Sequence, residues 1–166
     1  MVLTYLRLGS DETDYVIREC SVDDILKRSL KKFAPEFIAR KLSLRYEPVE
    51  IRAVTDEKWL GFVIEQLLSN ALKYTYEGGV TIESTESGVL CIRDTGIGIA
   101  PEDLPRIFER GFTGCNGRSG RSSSGLGLYL CRRICANLGH GITARSTPGK
   151  GTAILLDLNQ RRLDVE

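Results

Sequence analysis

An aspartate followed by two glycines ends a strand-like run in the stretch CIRDTGIGI, residues 91–99. Apolar and polar residues alternate before Asp94, which is typical of a half-buried strand. Gly96 and Gly98 allow the chain to turn and let a ligand approach the backbone closely. In open α/β sheets, ligands bind just beyond the ends of strands, where Asp94 is expected to lie. Asp-Thr-Gly is also favourable turn chemistry, so this stretch alone leaves a plain turn equally open.

A second polar group lies on one face of a predicted helix. Gln66, Asn70 and Lys73 are spaced i, i+4 and i+7, with Tyr74 beside them. They share a face roughly 120° away from the apolar stripe of the same helix. Amide oxygens can ligate Mg²⁺ together with phosphate oxygens and water, and lysine offers phosphate a point charge. Read alone, the row favours an ordinary polar flank, with a site for phosphate and its metal ion as the alternative.

A third cluster, SSSGLGLYL, places Ser124, Gly125 and Gly127 where another helix begins. The first turn of a helix offers unpaired N–H groups and a positive dipole end to phosphate. Serine and glycine are also common at ordinary helix starts, so this cluster alone is a weak signal.

Other phosphate and catalytic motifs do not fit. The segment GKGT, residues 149–152, lacks the spacing of a Walker motif, and no G-x-G-x-x-G follows a strand. His140, in NLGHG, has no serine or cysteine nucleophile in its context. It is therefore predicted to be structural, at the end of a helix.

Helices and strands alternate along the chain. Ser21 and Asp24 resemble a capping box for a first helix, which Pro35 ends or bends and to which EFIARK adds a further turn or two. A broad apolar stripe at helical spacing marks the most regular helix, which Asp56 opens. Helices are predicted over residues 22–34, 57–75, 101–108 (short) and 126–138, and strands over 42–48, 50–54, 78–85, 89–94, 141–147 and 151–158.

This order favours an α/β fold. Strands that are adjacent in sequence mostly pair, so residues 42–48 and 50–54 are expected to form one pair, joined near Pro48. The prediction is a two-layer α/β sandwich: a mixed sheet of about five or more strands with about three helices on one face.

Composition excludes several classes of protein. The formal net charge of +1 argues against a general nucleic-acid binder, which usually shows a strongly basic surface. No apolar run approaches the roughly 20 residues that a membrane helix needs. The five cysteines are an odd number without a disulfide or zinc pattern, and are expected to be reduced and mostly buried.

Taken together, the motifs resemble a known family. In order, they are EQLLSNALKYT around Asn70, DTGIGI around Asp94, IFERGF, GLGL and GKGT. This series is similar to the N box, first glycine box, F box, second glycine box and closing segment of the GHKL superfamily, which has the Bergerat fold. Over residues 20–158 it looks most like the ATP-binding catalytic domain of a bacterial sensor histidine kinase. The pattern FTGxNGR…GLGLYL resembles kinases of Gram-positive bacteria that sense antimicrobial peptides.

The resemblance implies ATP and Mg²⁺ as cofactors, and a role for each matching residue. Asp94 would accept a hydrogen bond from the adenine amino group, Asn70 would hold Mg²⁺, and Lys73 would contact phosphate. Tyr74 would pack at the nucleotide, and Thr152 would support the adenine contact. The other implied contacts come from the glycine boxes and from the lid at about residues 97–124: Gly96, Gly98, Ile99, Phe108, Phe112, Arg118 (or Arg121), Gly125, Leu126, Gly127 and Leu128.

The position of Gln66 separates branches of the superfamily. Hydrolytic members carry a glutamate there, four residues before the metal asparagine, and it activates water. A glutamine amide cannot act as a general base near neutral pH, so slow water attack is expected. Glu65 lies about 100° away around the helix and is not expected to substitute.

The same resemblance implies that other parts of a kinase lie outside this chain. Residues 1–20 are expected to be the connector from a dimerisation domain that carries the phospho-accepting histidine, 21–160 the catalytic domain, and 161–166 a tail. The expected whole is a homodimeric, membrane-anchored kinase with a cytoplasmic catalytic domain, a response regulator downstream and no nucleic-acid partner.

Two rival functions use the same fold. A non-catalytic nucleotide-binding module is disfavoured by the presence of Asn70, Lys73 and Asp94 together. An anti-sigma-factor serine kinase is disfavoured by Gln66, because members of that group usually carry glutamate at this position.

Overall fold

The computed structural model of the chain describes residues 14–114 and 124–159. The elements, in chain order, are β1 (Arg18–Ser21), α1 (Val22–Ala39), β2 (Ser43–Tyr46), β3 (Arg52–Thr55), α2 (Glu57–Tyr74), β4 (Gly79–Glu86), β5 (Val89–Asp94), a short 3₁₀ helix (Leu104–Arg106), α3 (Gly127–Asn137), β6 (Gly141–Thr147) and β7 (Gly151–Asp157).

The strands form a mixed five-stranded sheet in the order β2-β4-β5-β7-β6 and a small sheet of β1 with β3. Strand β2 runs parallel to β4, and the other neighbours in the large sheet are antiparallel. Helices α1, α2 and α3 pack side by side, with α2 between the other two, and α2 and α3 contact the large sheet. The predicted two-layer α/β sandwich is confirmed.

The predicted pairing of β2 with β3 is wrong. Strand β3 instead pairs antiparallel with β1, a strand that begins within the segment predicted to be a connector. The turn between β2 and β3 is drawn into the core, where Val49 and Ile51 are buried. It is held there by α1, because Val49 N donates to Asp23 Oδ1 and Val22 N donates to Ile51 O. Strand β3 therefore leaves the large sheet.

Helix α1 begins as predicted and ends later than Pro35. Ser21 is its N-cap, and the Ser21 hydroxyl accepts a hydrogen bond from Asp24 N at 3.4 Å. The helix continues through Pro35 to Ala39, which includes most of the predicted extra turns. Pro35 lies on the exposed side of the helix, so water can satisfy the backbone carbonyl that loses its partner there.

Helix α2 supplies the centre of the core. Asp56 caps it, with Oδ1 accepting a hydrogen bond from Trp59 N at 3.0 Å. The predicted apolar stripe is confirmed, because every member is buried: Leu60, Val63, Ile64, Leu67, Leu68, Ala71 and Leu72. Among the described residues, no helix is long and apolar enough to cross a membrane.

The cysteines of the described ranges are free and buried, as predicted: Cys20, Cys91, Cys131 and Cys135. Burial raises the pKa of the Cys135 thiol to about 12, so this side chain stays neutral. Cys115 lies outside the described residues.

His140 has a structural position, as predicted. Only 7% of the residue is exposed, and its Nε2 lies 2.9 Å from the hydroxyl of Thr55, which is fully buried. Its Nδ1 is buried without a hydrogen-bond partner among the described residues. Burial lowers the pKa of the imidazole, since the charged form would lose its water, and this outweighs the opposing effect of Asp157.

We predict that His140 makes the stability of the domain fall in mild acid. Because its pKa is lower in the folded than in the unfolded chain, its contribution is fully present above pH ~6.5 and is lost as the pH falls through the folded pKa. Urea unfolding at pH 7.5 and pH 5.5 should show a smaller loss of stability for His140→Gln than for the unmodified chain. Equal losses in the two proteins would contradict the burial of a neutral imidazole.

Candidate functional site

A cleft opens between α2, the ends of β5 and β7, and the segments on either side of the undescribed residues 115–123. Its cavity volume is about 140 Å³, far more than a water molecule needs. The lining residues are Leu67, Asn70, Ala71, Tyr74, Ile92, Asp94, Ile97, Gly98, Ile99, Ala100, Asp103, Ile107, Phe112, Thr113, Gly114, Gly125, Gly127, Leu128, Thr152 and Ile154.

Asp94 is one of the two acidic residues that line this cleft, and it lies where β5 ends beside β7. It is the last residue of β5, and its Oδ1 accepts hydrogen bonds from Gly96 N at 2.8 Å and Thr152 N at 3.2 Å. Burial raises the pKa of the Asp94 carboxyl, whereas the two backbone N–H groups act to lower it. Both bonds reach Oδ1, so Oδ2 has no hydrogen bond from the described residues. Asp94 therefore presents a fixed hydrogen-bond acceptor.

The first glycine box joins α2 to the turn between β6 and β7. Ile97 N donates to Tyr74 O at 3.1 Å, and Ile97 O accepts from Gly149 N at 2.7 Å. A Cβ on Gly96 would lie 2.4 Å from Tyr74 O, so the backbones of the glycine box and the end of α2 approach each other closely here. Gly98 has a φ of +73°, a conformation that other residues rarely adopt.

Ser146, on β6, was not singled out in the sequence. Its Oγ accepts a hydrogen bond from Ile99 N at 2.8 Å, donates to Gly151 O at 2.9 Å, and lies 2.9 Å from Thr152 Oγ1. It thereby links the residues after the glycine box to the start of β7. The available signal was periodicity, because Ile142, Ala144 and Ser146 share one face of β6 and only Ser146 is polar.

The polar row on α2 is only partly turned towards the cleft. Asn70 and Tyr74 line it, whereas Gln66 and Lys73 do not. The oxygen of Gln66 faces the start of α3, 3.1 Å from where a Cβ on Gly127 would lie. Lys73 Nζ lies 5.3 Å from the centre of the Tyr74 ring. Glu65 forms an ion pair with Lys32 of α1, at 2.7 Å.

The F-box phenylalanines have different surroundings. Phe112 lines the cleft, and the guanidinium of Arg106 lies 4.6 Å from the centre of its ring. Phe108 does not line it and lies beside Arg132 of α3, at 6.0 Å. The short helix predicted over residues 101–108 is only the 3₁₀ turn Leu104–Arg106. Pro105 leaves this turn without one backbone donor.

The second glycine box meets the F box through backbone atoms. Gly111 N donates to Gly125 O at 3.0 Å, and a Cβ on Gly125 would lie 2.5 Å from the carbonyl carbon of Gly111. Helix α3 begins at Gly127, and its N-cap Leu126 provides no side-chain hydrogen bond. Gly125, Gly127 and Leu128 line the cleft, whereas Leu126 packs on the core. Arg118 and Arg121 lie outside the described residues.

Most of the apolar wall of the cleft could not be recognised from the sequence. Leu67 and Ala71 belong to the core stripe of α2, and Ile92 and Ile154 are inward-facing strand residues. Periodicity marks such residues as core without showing which of them border an open space.

A family profile, described as histidine kinase-, DNA gyrase B- and HSP90-like ATPase, matches residues 55–162 of the chain. The chain belongs to this family. The resemblance stated from the motifs is thereby confirmed.

Relatives within the family include sensor kinases. The chain is 35% identical over 153 residues to the sensor protein BceS of Halalkalibacterium halodurans, covering 90% of this chain and 46% of BceS. It is 45% identical over 111 residues to the sensor protein kinase GraS of Staphylococcus aureus (strain MRSA252), covering 65% of this chain and 32% of GraS. The chain thus spans less than half the length of these relatives.

Solved structures share the fold of this ATPase domain. A full-length ShkA in complex with AMPPNP superposes with a TM-score of 0.76 at 24% identity, covering 93% of this chain and 33% of that one. The nucleotide-free catalytic domain of the histidine kinase ThkA gives a TM-score of 0.73 at 19% identity, covering 87% and 96%. The fold is that of histidine kinase catalytic domains.

We predict opposite effects of one added methyl group at two glycines. Gly96→Ala should destabilise the domain by about 1–3 kcal/mol, because its Cβ would overlap the carbonyl oxygen of Tyr74. Gly61→Ala, inside α2, should stabilise it by up to about 1 kcal/mol, because the new Cβ meets only Ile25, at 3.7 Å. Urea unfolding of both variants measures these changes, and a neutral Gly96→Ala would show that close backbone approach is not required there.

Proposed function

We propose that this domain binds Mg-ATP and transfers the γ-phosphoryl group to a histidine on the dimerisation domain of a two-component sensor kinase. The observation that carries the proposal is Asp94, held as an acceptor at the floor of the cleft by two backbone N–H groups. Membership of the ATPase family and the sensor kinases among its relatives support it.

The base is assigned to the Asp94 end of the cleft. A carboxylate accepts hydrogen bonds and cannot donate them, so it favours the amino group of adenine over the carbonyl oxygen of guanine at the same ring position. The surrounding wall is apolar, with Ile92, Ile97 and Ile154 close by, and suits a flat aromatic ring. Tyr74 lines the same part of the cleft and is proposed to pack against the nucleotide.

The phosphates are assigned to the Asn70 and α3 end. The described residues contain no cluster of three histidine, cysteine or acidic side chains that could hold a metal ion. Asn70 lines this end of the cleft, and its amide oxygen suits Mg²⁺ that is also held by phosphate oxygens and water. When bound, the ion supplies neutralisation of the phosphate charge. The phosphates are proposed to face the first N–H groups of α3, Lys73, and either Arg118 or Arg121.

Transfer to a side chain is favoured over hydrolysis. Gln66 cannot remove a proton from water, and Glu65 is paired with Lys32 away from the cleft. Neither position therefore supplies a general base that could activate water. Phosphoryl transfer to a positioned side chain is favoured over hydrolysis.

The acceptor is proposed to belong to another domain. His140 is 7% exposed and its Nε2 is engaged by Thr55, so it cannot reach a γ-phosphate in the cleft. The chain spans less than half of BceS, so the rest of the protein is inferred from its relatives. We propose that the whole protein is a membrane-anchored homodimer with a dimerisation domain, and that it senses antimicrobial peptides and acts on a response regulator.

The adenine assignment predicts that ATP binds more tightly than GTP. Asp94→Asn should weaken ATP binding about 10- to 150-fold, because a hydrogen bond to a charged group is worth roughly 1.5–3 kcal/mol. Calorimetry with Mg-ATP and Mg-GTP measures both affinities. The control is Asp24→Asn, an exposed aspartate of α1 that should leave both unchanged. Equal ATP and GTP affinities in the unmodified domain would overturn the adenine assignment.

The transfer assignment predicts what the chain cannot do alone. With γ-labelled ATP, the isolated domain should show little hydrolysis and no phosphohistidine. The dimerisation domain of the parent kinase, added as a separate chain, should acquire acid-labile label on its histidine. Asn70→Ala should abolish this transfer, because the metal ligand is lost. Label on His140 of the isolated domain would refute both the acceptor assignment and the structural position of that residue.

A further inference from the structure

We propose that Ser146 is a positioning residue that sets purine specificity by fixing the direction of the Thr152 hydroxyl. This inference rests on the proposed ATP site. It concerns a residue on β6 that does not line the cleft and so would act only through its neighbour on β7.

The hydrogen bonds of Ser146 use its whole capacity. A serine hydroxyl has one proton to donate and two lone pairs to accept with. Its proton goes to Gly151 O, which can only accept, at 2.9 Å. One lone pair receives the N–H of Ile99, which can only donate, at 2.8 Å. The remaining contact is with Thr152 Oγ1 at 2.9 Å, and there Ser146 can only accept.

The Thr152 hydroxyl is therefore the donor in that pair. Its single proton points to Ser146, so only its lone pairs remain for a molecule in the cleft. Thr152 also stands directly opposite Asp94 in the β5–β7 pair, and its backbone N–H holds the Asp94 carboxylate. The cleft floor thus presents two acceptors, Asp94 and Thr152, side by side to the edge of the base.

Two adjacent acceptors discriminate between purines. An amino group at C6, as in adenine, can donate to them directly or through a water molecule. A carbonyl oxygen at C6 would itself face these acceptors as an acceptor, and the N–H on the adjacent ring nitrogen could satisfy only one of the two, which costs binding energy. Without Ser146, the Thr152 hydroxyl is free to rotate. It can then donate its proton to a carbonyl oxygen at C6 of the base, so the penalty against that base becomes smaller.

The test compares ATP with inosine triphosphate, which differs from ATP by a carbonyl in place of the C6 amino group and the proton on the adjacent nitrogen. Ser146→Ala should lower the ratio of ATP affinity to inosine triphosphate affinity by about 2- to 12-fold, the worth of one neutral hydrogen bond. Ser146→Thr keeps the hydroxyl and should restore the ratio. Calorimetry with Mg²⁺ present gives both affinities for each variant.

A purely structural role for Ser146 predicts something else. Loss of the bond to Ile99 N alone would lower the affinities for both nucleotides by the same factor and leave their ratio unchanged. That outcome would overturn the proposal. The matched control is Ser84→Ala, at the far end of β4, where the hydroxyl donates to Glu86 O at 2.9 Å. This variant should change neither affinity.

A double-mutant cycle separates the path through Thr152 from any other. In a Thr152→Val background, Ser146→Ala should no longer change the ratio, because the hydroxyl it orients is absent. A change that persists would refute action through Thr152. If the unmodified domain binds neither nucleotide, the proposed function itself fails. If it binds ATP and the ratio is insensitive to Ser146, only this inference fails.

Discussion

The antiparallel pairing of β5 with β7 is the contact on which the site depends. It places Thr152 opposite Asp94, so that a backbone N–H far along the chain holds the carboxylate. The strands meet so closely that a Cβ on Gly151 would lie 2.0 Å from Asp94 O. Any larger residue at Gly151 would force β7 away, and the floor of the cleft would lose both its acceptor geometry and its link to Ser146.

The site is organised at a cost to folding. Burying a carboxylate without an ion pair is unfavourable, and two backbone N–H groups offset only part of that cost, because the net effect of the surroundings still raises the Asp94 pKa. The stability of the domain comes instead from the apolar residues of α2 and the inner face of the sheet. The polar residues proposed to bind the nucleotide are thus separate from the residues that stabilise the fold, whereas Ile92 and Ile154 belong both to the core and to the wall of the cleft.

Much of this architecture could be predicted from the sequence, because its signals are local. The stripe of α2, the β4–β5 hairpin and the position of Asp94 at the end of β5 follow from periodicity and turn chemistry. The pairing of β3 with β1 could not be predicted, because it depends on where the buried turn after β2 is held. Ser146 was missed for a similar reason: its partners Ile99, Gly151 and Thr152 come from separate segments.

The position of β7 near the end of the described chain has a consequence for biosynthesis. The ribosome makes Asn70, Asp94 and both glycine boxes before it makes Thr152. Until β7 pairs with β5 and β6, strand β6 has no neighbour in the large sheet. The Asp94 carboxylate also lacks one of its two backbone donors, Thr152 N. The complete floor of the cleft therefore forms only after β7 has been made, so a ligand that needs both backbone donors of Asp94 can stabilise the domain only from that point on.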